Sequence, residues 1–169
     1  IEHDWERVLT VLSKAVDTFL TVREREGERL AEDLRSKMQN IKGAVDRIEE
    51  LSLADVSTYR ERLAERIREA LNDCQITPDE TRLLTECAIH ADKVAVDEEM
   101  VRLRTHFGAF EEILSSGEPV GRKLDFLMQE MNRESNTLGS KAVAIEMTNA
   151  SLALKLTIEQ MREQIQNLE

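Results

Sequence analysis

The stretch LAEDLRSKMQNIKGAVDRI, residues 30–48, carries an apolar residue at successive steps of four, four, three, four and three. Its apolar positions are Leu30, Leu34, Met38, Ile41, Val45 and Ile48. Because an α-helix turns once every 3.6 residues, this spacing places all six side chains on one face. Such a narrow seam is typical of a coiled coil or of two antiparallel helices. The stretch therefore predicts a long amphipathic helix.

The N-terminal part of the chain extends this helical pattern. An earlier apolar stripe runs through residues 5–20, and Gly27 separates it from the seam. Residues 52–55 predict a break, after which apolar residues again recur at steps of three and four from Val56. We therefore expect two segments: a coiled-coil-like helical segment over residues 1–51 and a helical domain over residues 52–169.

Polar residues mark the predicted helix starts. Asp4 is suited to cap the first helix, because a side-chain oxygen accepts a hydrogen bond from a free backbone N–H. Thr77 and Pro78 predict an N-cap followed by the first helical position, with that helix running to about Lys93. Asp97 predicts the cap of the next helix, whose first turn is acidic.

The rest of the chain is helical to its end. An apolar seam over residues 103–114 is followed by a predicted loop at 115–119 and a further helix from about Val120. A last four-three repeat runs through Leu154, Ile158, Met161, Ile165 and Leu168. We see no strand-like alternation, so we predict an all-α protein of long amphipathic helices in a bundle or coiled-coil-like arrangement. The two long seams also predict self-association.

Composition excludes several classes of protein. The 169 residues include 34 acidic and 23 basic side chains, giving a net charge of −11, so a polyanionic partner would need a local basic patch. No apolar run approaches the roughly 18 residues of a membrane helix, and no secretory signal is visible. We expect Cys74 and Cys87 to be small apolar core residues of a protein in a reducing cytosol. His3 and His90 have no evident partners.

The most informative polar block is GRKLDFLMQEMNRESNTLGSK, residues 121–141. On a helix it forms two polar stripes with basic residues beside them. The first stripe is Asp125, Gln129, Asn132 and Asn136, the second is Glu130, Glu134, Thr137 and Lys141, and the basic neighbours are Arg122, Lys123 and Arg133. The pattern fits a functional site, and equally a polar surface or a buried hydrogen-bond network between helices.

A second polar block covers residues 97–106. Glu98, Arg102 and His106 share one helix face, and Glu99 is within reach of Arg102 at the i+3 position. One interpretation is an ordinary ladder of surface ion pairs. The other is a carboxylate pair that holds a hard divalent cation, with Arg and His available to meet phosphate. No P-loop, zinc-protease or nucleophile-elbow motif occurs.

These blocks resemble the YicC/YloC family of bacterial endoribonucleases. Residues 121–141 resemble the family signature nearly end to end, and residues 97–106 and 159–169 support the resemblance. Family members carry an N-terminal region with strands before a helical half. We therefore expect this chain, which begins at Ile1, to be the C-terminal portion of a longer protein.

The resemblance implies divalent-metal-dependent cleavage of single-stranded RNA, with Mg²⁺ or Mn²⁺ as cofactor. It also implies a cytoplasmic homo-oligomer, with a hexamer as the candidate assembly, no membrane association, and RNA-degradation enzymes as candidate partners. For catalysis we expect His106 and Glu130, and for metal binding we expect Glu98, Glu99, Asp125 and Glu134. The residues expected to contact RNA are Arg102, Arg104, Arg122, Lys123, Asn132, Arg133, Asn136 and Lys141. The alternative is an oligomeric helical scaffold or adaptor in RNA degradation, without catalysis of its own.

Overall fold

The computed structural model describes residues 2–71 and 79–166, and all regular secondary structure in these ranges is helical. The helices are α1 (Glu2–Leu71), α2 (Glu80–Val94), α3 (Asp97–Leu114), α4 (Gly121–Lys141) and α5 (Ile145–Ile165). The predicted all-α fold is confirmed. The predicted loop at 115–119 and the helix that follows it are also present.

Helix α1 is continuous over 70 residues, so the predicted break at residues 52–55 is wrong. That stretch contains neither glycine nor proline, and an interruption of the apolar repeat alone does not end a helix. Gly27 also lies inside α1, where it costs only about 1 kcal/mol relative to alanine. The division of the chain into segments 1–51 and 52–169 stays a prediction.

The chain divides into two compact units, Ile1–Lys37 and Met38–Glu169. In the first unit the predicted apolar stripe is exposed rather than packed. Each of its side chains keeps 47% to 62% of its surface accessible, namely Trp5, Val8, Leu9, Leu12, Val16, Phe19 and Leu20. The described chain therefore provides no cover for this face, and the predicted self-association stays a prediction.

The second unit holds the hydrophobic core, to which the predicted seams contribute. Met38, Ile41, Val45 and Ile48 of α1 are fully buried, as are Leu103 and Phe110 of α3. The last seam is buried at Leu154, Ile158, Met161 and Ile165, while Leu168 lies outside the described residues. Since burying one such side chain contributes about 1.5–3 kcal/mol, these seams are the main source of stability.

Neighbouring helices of this unit run antiparallel, as their contacts show. Glu99 near the start of α3 meets Lys141 at the end of α4. Asp125 near the start of α4 meets Arg162 near the end of α5. At the opposite end of this pair, a Cβ on Gly139 would lie 3.9 Å from the Cβ of Ser151. The two polar blocks of the sequence therefore lie on helices α3 and α4, which pack against each other.

Helix α2 is joined to α1 through His90, so the expectation that His90 lacks a partner is wrong. Its ring stacks on Tyr59 with centroids 3.6 Å apart and planes 8° from parallel. His90 Nε2 also lies 3.2 Å from Asp55 Oδ2. The partners are 31 and 35 positions away in sequence, so local spacing could not indicate them. His3 has no described side chain.

The helix starts differ from the predicted caps. Helix α1 begins at Glu2, so Asp4 lies within it. The N-cap of α2 is Asp79, which accepts hydrogen bonds from the backbone N–H groups of Thr81 and Arg82, while the predicted Thr77 and Pro78 lie outside the described residues. Asp97 is the first residue of α3 rather than its cap. Its carboxylate still suits the positive end of the helix dipole.

Two predictions drawn from composition can be compared with the structure. Within the described residues, no helix is long and apolar enough to cross a membrane. Cys87 is half-buried rather than in the core, and Cys74 lies outside the described residues. The position of Cys87 reflects its place on α2, where few side chains are buried.

Candidate functional site

The interface of α3 and α4 contains a nearly buried ion pair. Lys141 Nζ donates to Glu99 Oε2 at 2.8 Å and to the backbone carbonyl of Ala95 at 2.7 Å. The Glu99 side chain is only 6% exposed. A buried carboxylate requires such a partner, because removing its hydration costs several kcal/mol. The sequence paired Glu99 with Arg102, whereas the structure pairs it with a residue 42 positions away.

A second link between these helices is made by Arg102. Its guanidinium lies 2.9 Å from Glu98 Oε2 on its own helix and 3.4 Å from Glu134 Oε2 on α4. Glu98 is 79% exposed, while the Glu134 side chain is 6% exposed. Arg102 therefore links a largely buried carboxylate on α4 to an exposed one on its own helix.

The other face of α4 is joined to α5. Arg162 Nε donates to Asp125 Oδ1 at 3.1 Å, and Gln129 Nε2 donates to Asp125 Oδ2 at 2.7 Å. Further along, Asn132 Nδ2 donates to Glu159 Oε1 at 2.6 Å. The two stripes of α4 thus face different neighbours. Much of this polar block forms a hydrogen-bond network between helices, which was one of the two interpretations of its sequence.

The predicted RNA-contacting cations differ in their availability. Arg104 donates to Glu49 and Asp46 of α1, and these hydrogen bonds raise the pKa of Arg104 above its ordinary value. Lys123 pairs with Glu118 at 2.7 Å, and its hydrogen bond holds the pKa of that carboxyl below its usual range.

The remaining predicted contacts lie on the exposed side of α4. Arg133 is 76% exposed, with its nearest carboxylate oxygen, on Glu130, 4.0 Å away. Arg122 is exposed and forms no hydrogen bond or ion pair with the described residues, and the same holds for Asn136. Arg122 and Arg133 are therefore the predicted contacts that can meet a phosphate with least rearrangement.

The four carboxylates predicted to bind a metal ion do not converge. Glu98 and Glu134 share Arg102, Glu99 pairs with Lys141, and Asp125 pairs with Arg162. Throughout residues 2–71 and 79–166, no three His, Cys, Asp or Glu side chains come together in a way that could hold a metal ion. These residues do not fit a metal ion as they stand, because binding would displace three cationic partners. The predicted dependence on Mg²⁺ or Mn²⁺ stays a prediction.

The two predicted catalytic residues lie on different helices. His106 is half-buried on α3, and its ring makes no hydrogen bond with a described residue. Glu130 is half-buried on α4, close to Arg133. Both side chains can exchange protons with a bound molecule. Their catalytic roles stay predictions.

A cleft lies between the start of α4 and the end of α5, and the sequence interpretation did not include it. Its volume is about 680 Å³, and its lining includes Arg122, Phe126, Ile165 and Gln166. Phe126 is 64% exposed, although it stands between buried residues of α4. A signal for it was present: Phe126 falls outside the apolar seam of its helix and is four residues after Arg122.

The architecture and the ion-paired α3–α4 interface define an all-α protein whose two polar sequence blocks, residues 97–106 and 121–141, lie on contacting helices. The family model described as "Endoribonuclease YicC-like, C-terminal" matches residues 48–169, which include both helices and the cleft. The chain belongs to this family.

Two curated relatives agree with the assignment. A protein named "Probable endoribonuclease YicC" from Clostridioides difficile (strain 630) is 42% identical over 172 residues, covering 99% of this chain and 58% of the relative. A protein of the same name from Haemophilus influenzae is 41% identical over 162 residues, covering 96% of this chain and 55% of the relative. The chain thus spans somewhat more than half the length of these relatives.

Proposed function

We propose that this chain binds single-stranded RNA on the exposed side of α4 and serves as part of an endoribonuclease. The observation that carries the proposal is the 42% identity, over 99% of the chain, to a protein named a probable endoribonuclease. The guanidinium of Arg122, which has no partner among the described residues, and the exposed one of Arg133 support it. Guanidinium groups bind phosphate oxygens in a bidentate manner.

The acidic composition is compatible with this proposal. The net charge is −11, but charges farther than about 8–10 Å from a phosphate are largely screened at physiological salt. Near the start of α4, the carboxylates of Glu118 and Asp125 are each matched by a cation. Among the described residues there, the charge without a partner is that of Arg122, and it favours an anion.

Salt dependence of RNA affinity tests the proposed surface. The double variant Arg122→Ala/Arg133→Ala should lower the magnitude of the log–log salt slope by about 1.4, since each phosphate contact on a single strand contributes about 0.7. Fluorescence anisotropy of a labelled unstructured RNA gives the slope. Lys93→Ala/Lys155→Ala removes the same charge from exposed positions on α2 and α5 and should leave it unchanged. An unaltered slope in the first variant, with its helicity intact by circular dichroism, would refute the role of Arg122 and Arg133.

Metal removal tests the predicted cofactor. We expect the purified protein to cleave a linear, unstructured RNA in Mn²⁺ or Mg²⁺ and to stop when EDTA is added. Cleavage that persists in EDTA would contradict metal dependence and leave the nuclease proposal in place. RNA that stays intact with either metal would contradict the nuclease proposal itself.

A scaffold or adaptor remains the second candidate function, and the exposed stripe of residues 5–20 favours it. An uncovered apolar face of this length is typical of a surface that contacts another protein. Under this alternative the protein binds RNA without cleaving it, and its sedimentation shows an assembly. Cytoplasmic location and association with RNA-degradation enzymes belong to both candidates and stay predictions.

A further inference from the structure

The cleft at the start of α4 is lined by an exposed aromatic side chain, Phe126, beside a cation. Its lining combines an exposed aromatic ring on Phe126, a free guanidinium on Arg122 and the exposed amide of Gln166. The side chain of Ile165 is 1% exposed and belongs to the core beneath. The volume of about 680 Å³ falls within the range of about 300–1,000 Å³ that is usual for ligand pockets.

The charge that remains available in this cleft is positive. Among the described residues, the charged side chains that line it are Arg122 and Asp125. Both carboxylate oxygens of Asp125 are occupied, one by Arg162 and the other by Gln129. Arg122 has no hydrogen-bond or ion-pair partner among the described residues, and its guanidinium is exposed, so it can pair with an entering ligand. Among the described lining residues, this charge favours an anionic ligand over a cationic one.

The exposed ring and the guanidinium are placed to act on one ligand. Phe126 follows Arg122 by four residues on α4, so the two side chains lie on the same helix face, one turn apart. Phe126 is not needed for the core of α4, which is supplied by Leu124, Leu127 and Met128. An aromatic face beside a free cation is the arrangement by which proteins hold unpaired nucleotides, with the base stacked and the phosphate paired.

We infer that this cleft binds one unpaired nucleotide of the RNA, with its base stacked on Phe126 and its phosphate paired with Arg122. The inference rests on the proposed function and extends it, because it assigns base stacking to a residue outside the predicted site. Since every base has an aromatic face, the cleft accepts single strands of any sequence. Base-paired RNA keeps its bases inside the helix and does not fit it.

The test compares two RNAs of equal length, one with bases and one abasic throughout, by fluorescence anisotropy on the full 169-residue protein. The wild type should bind the base-bearing RNA about tenfold more tightly, the scale expected for one stacked base. Phe126→Leu keeps an apolar side chain but removes the aromatic face, so it should lose most of this ratio and leave abasic affinity unchanged. Phe126→Tyr should retain the ratio. The matched control is Phe19→Leu, because Phe19 is 62% exposed and Phe126 is 64% exposed. This control should also retain the ratio.

The outcomes separate this inference from the proposed function. If Phe126→Leu keeps the wild-type ratio while the wild type binds and cleaves RNA, the stacking inference is overturned and the proposed function stands. If Phe126→Leu instead lowers the sedimenting mass, the cleft is a protein contact and the inference fails. If the wild type binds neither RNA, the inference and the proposed function fail together.

Discussion

Lys141→Ala is expected to lower the free energy of unfolding by about 3 kcal/mol, near the lower end of the range for breaking a buried ion pair. The variant leaves the Glu99 carboxylate, 6% exposed, without its cation, and the Ala95 carbonyl without its donor. Lys141 itself is 27% exposed, so water can replace part of the lost interaction. Urea unfolding followed by circular dichroism measures the change.

Three control variants make this prediction specific. Lys141→Arg retains the charge and should cost less than Lys141→Ala. Lys155→Ala removes an exposed lysine on α5 and should change stability by less than about 0.5 kcal/mol. The double variant Glu99→Gln/Lys141→Ala should recover part of the loss, because the buried charge is then absent. A loss below about 1 kcal/mol in Lys141→Ala would contradict the pairing as a source of stability.

Phe110→Ala is expected to destabilise the protein by about 3–5 kcal/mol, the usual cost of removing a buried phenylalanine. Phe110 is fully buried on α3, so its removal leaves a cavity in addition to the lost apolar contact. Phe126→Ala makes the same chemical change at a side chain that is 64% exposed, and it should alter stability by less than about 0.5 kcal/mol.

This pair of variants tests burial directly. Thermal unfolding of the two proteins, measured side by side, should show a large decrease in Tm for Phe110→Ala alone. Equal decreases would contradict the placement of Phe110 in the core and of Phe126 at the surface. The same experiment shows whether Phe126 variants stay folded, which the RNA-binding comparison requires.

The helical fold and most of its core followed from the spacing of apolar residues. The seams at residues 30–48 and 154–168 repeat every three or four residues, and a helix converts that repeat into one buried face. The helix starts were less predictable. The N-cap of α2 is Asp79, two residues after the predicted Thr77. Which of several nearby polar residues caps a helix depends on backbone geometry that the sequence does not specify.

The candidate site was predictable in location but less so in its pairings. The residues of 97–106 and 121–141 do pack together, as the contact of Glu99 with Lys141 shows. Sequence spacing identifies partners on the same helix, such as Glu98 and Arg102, whose ion pair is present. It cannot identify partners on another helix, so Arg162 and Glu159, which anchor α4 to α5, were missed.

The proposal that this chain takes part in internal cleavage of RNA is tested most directly with a circular single-stranded RNA. A circle has no ends, so only an endonuclease can convert it to a linear molecule. With Mg²⁺ or Mn²⁺ present, the purified protein should yield a full-length linear product first and shorter fragments later, as seen on a denaturing gel. A circle that remains closed in both metals, with a protein that is folded by circular dichroism and binds the RNA, would contradict the account and favour the scaffold.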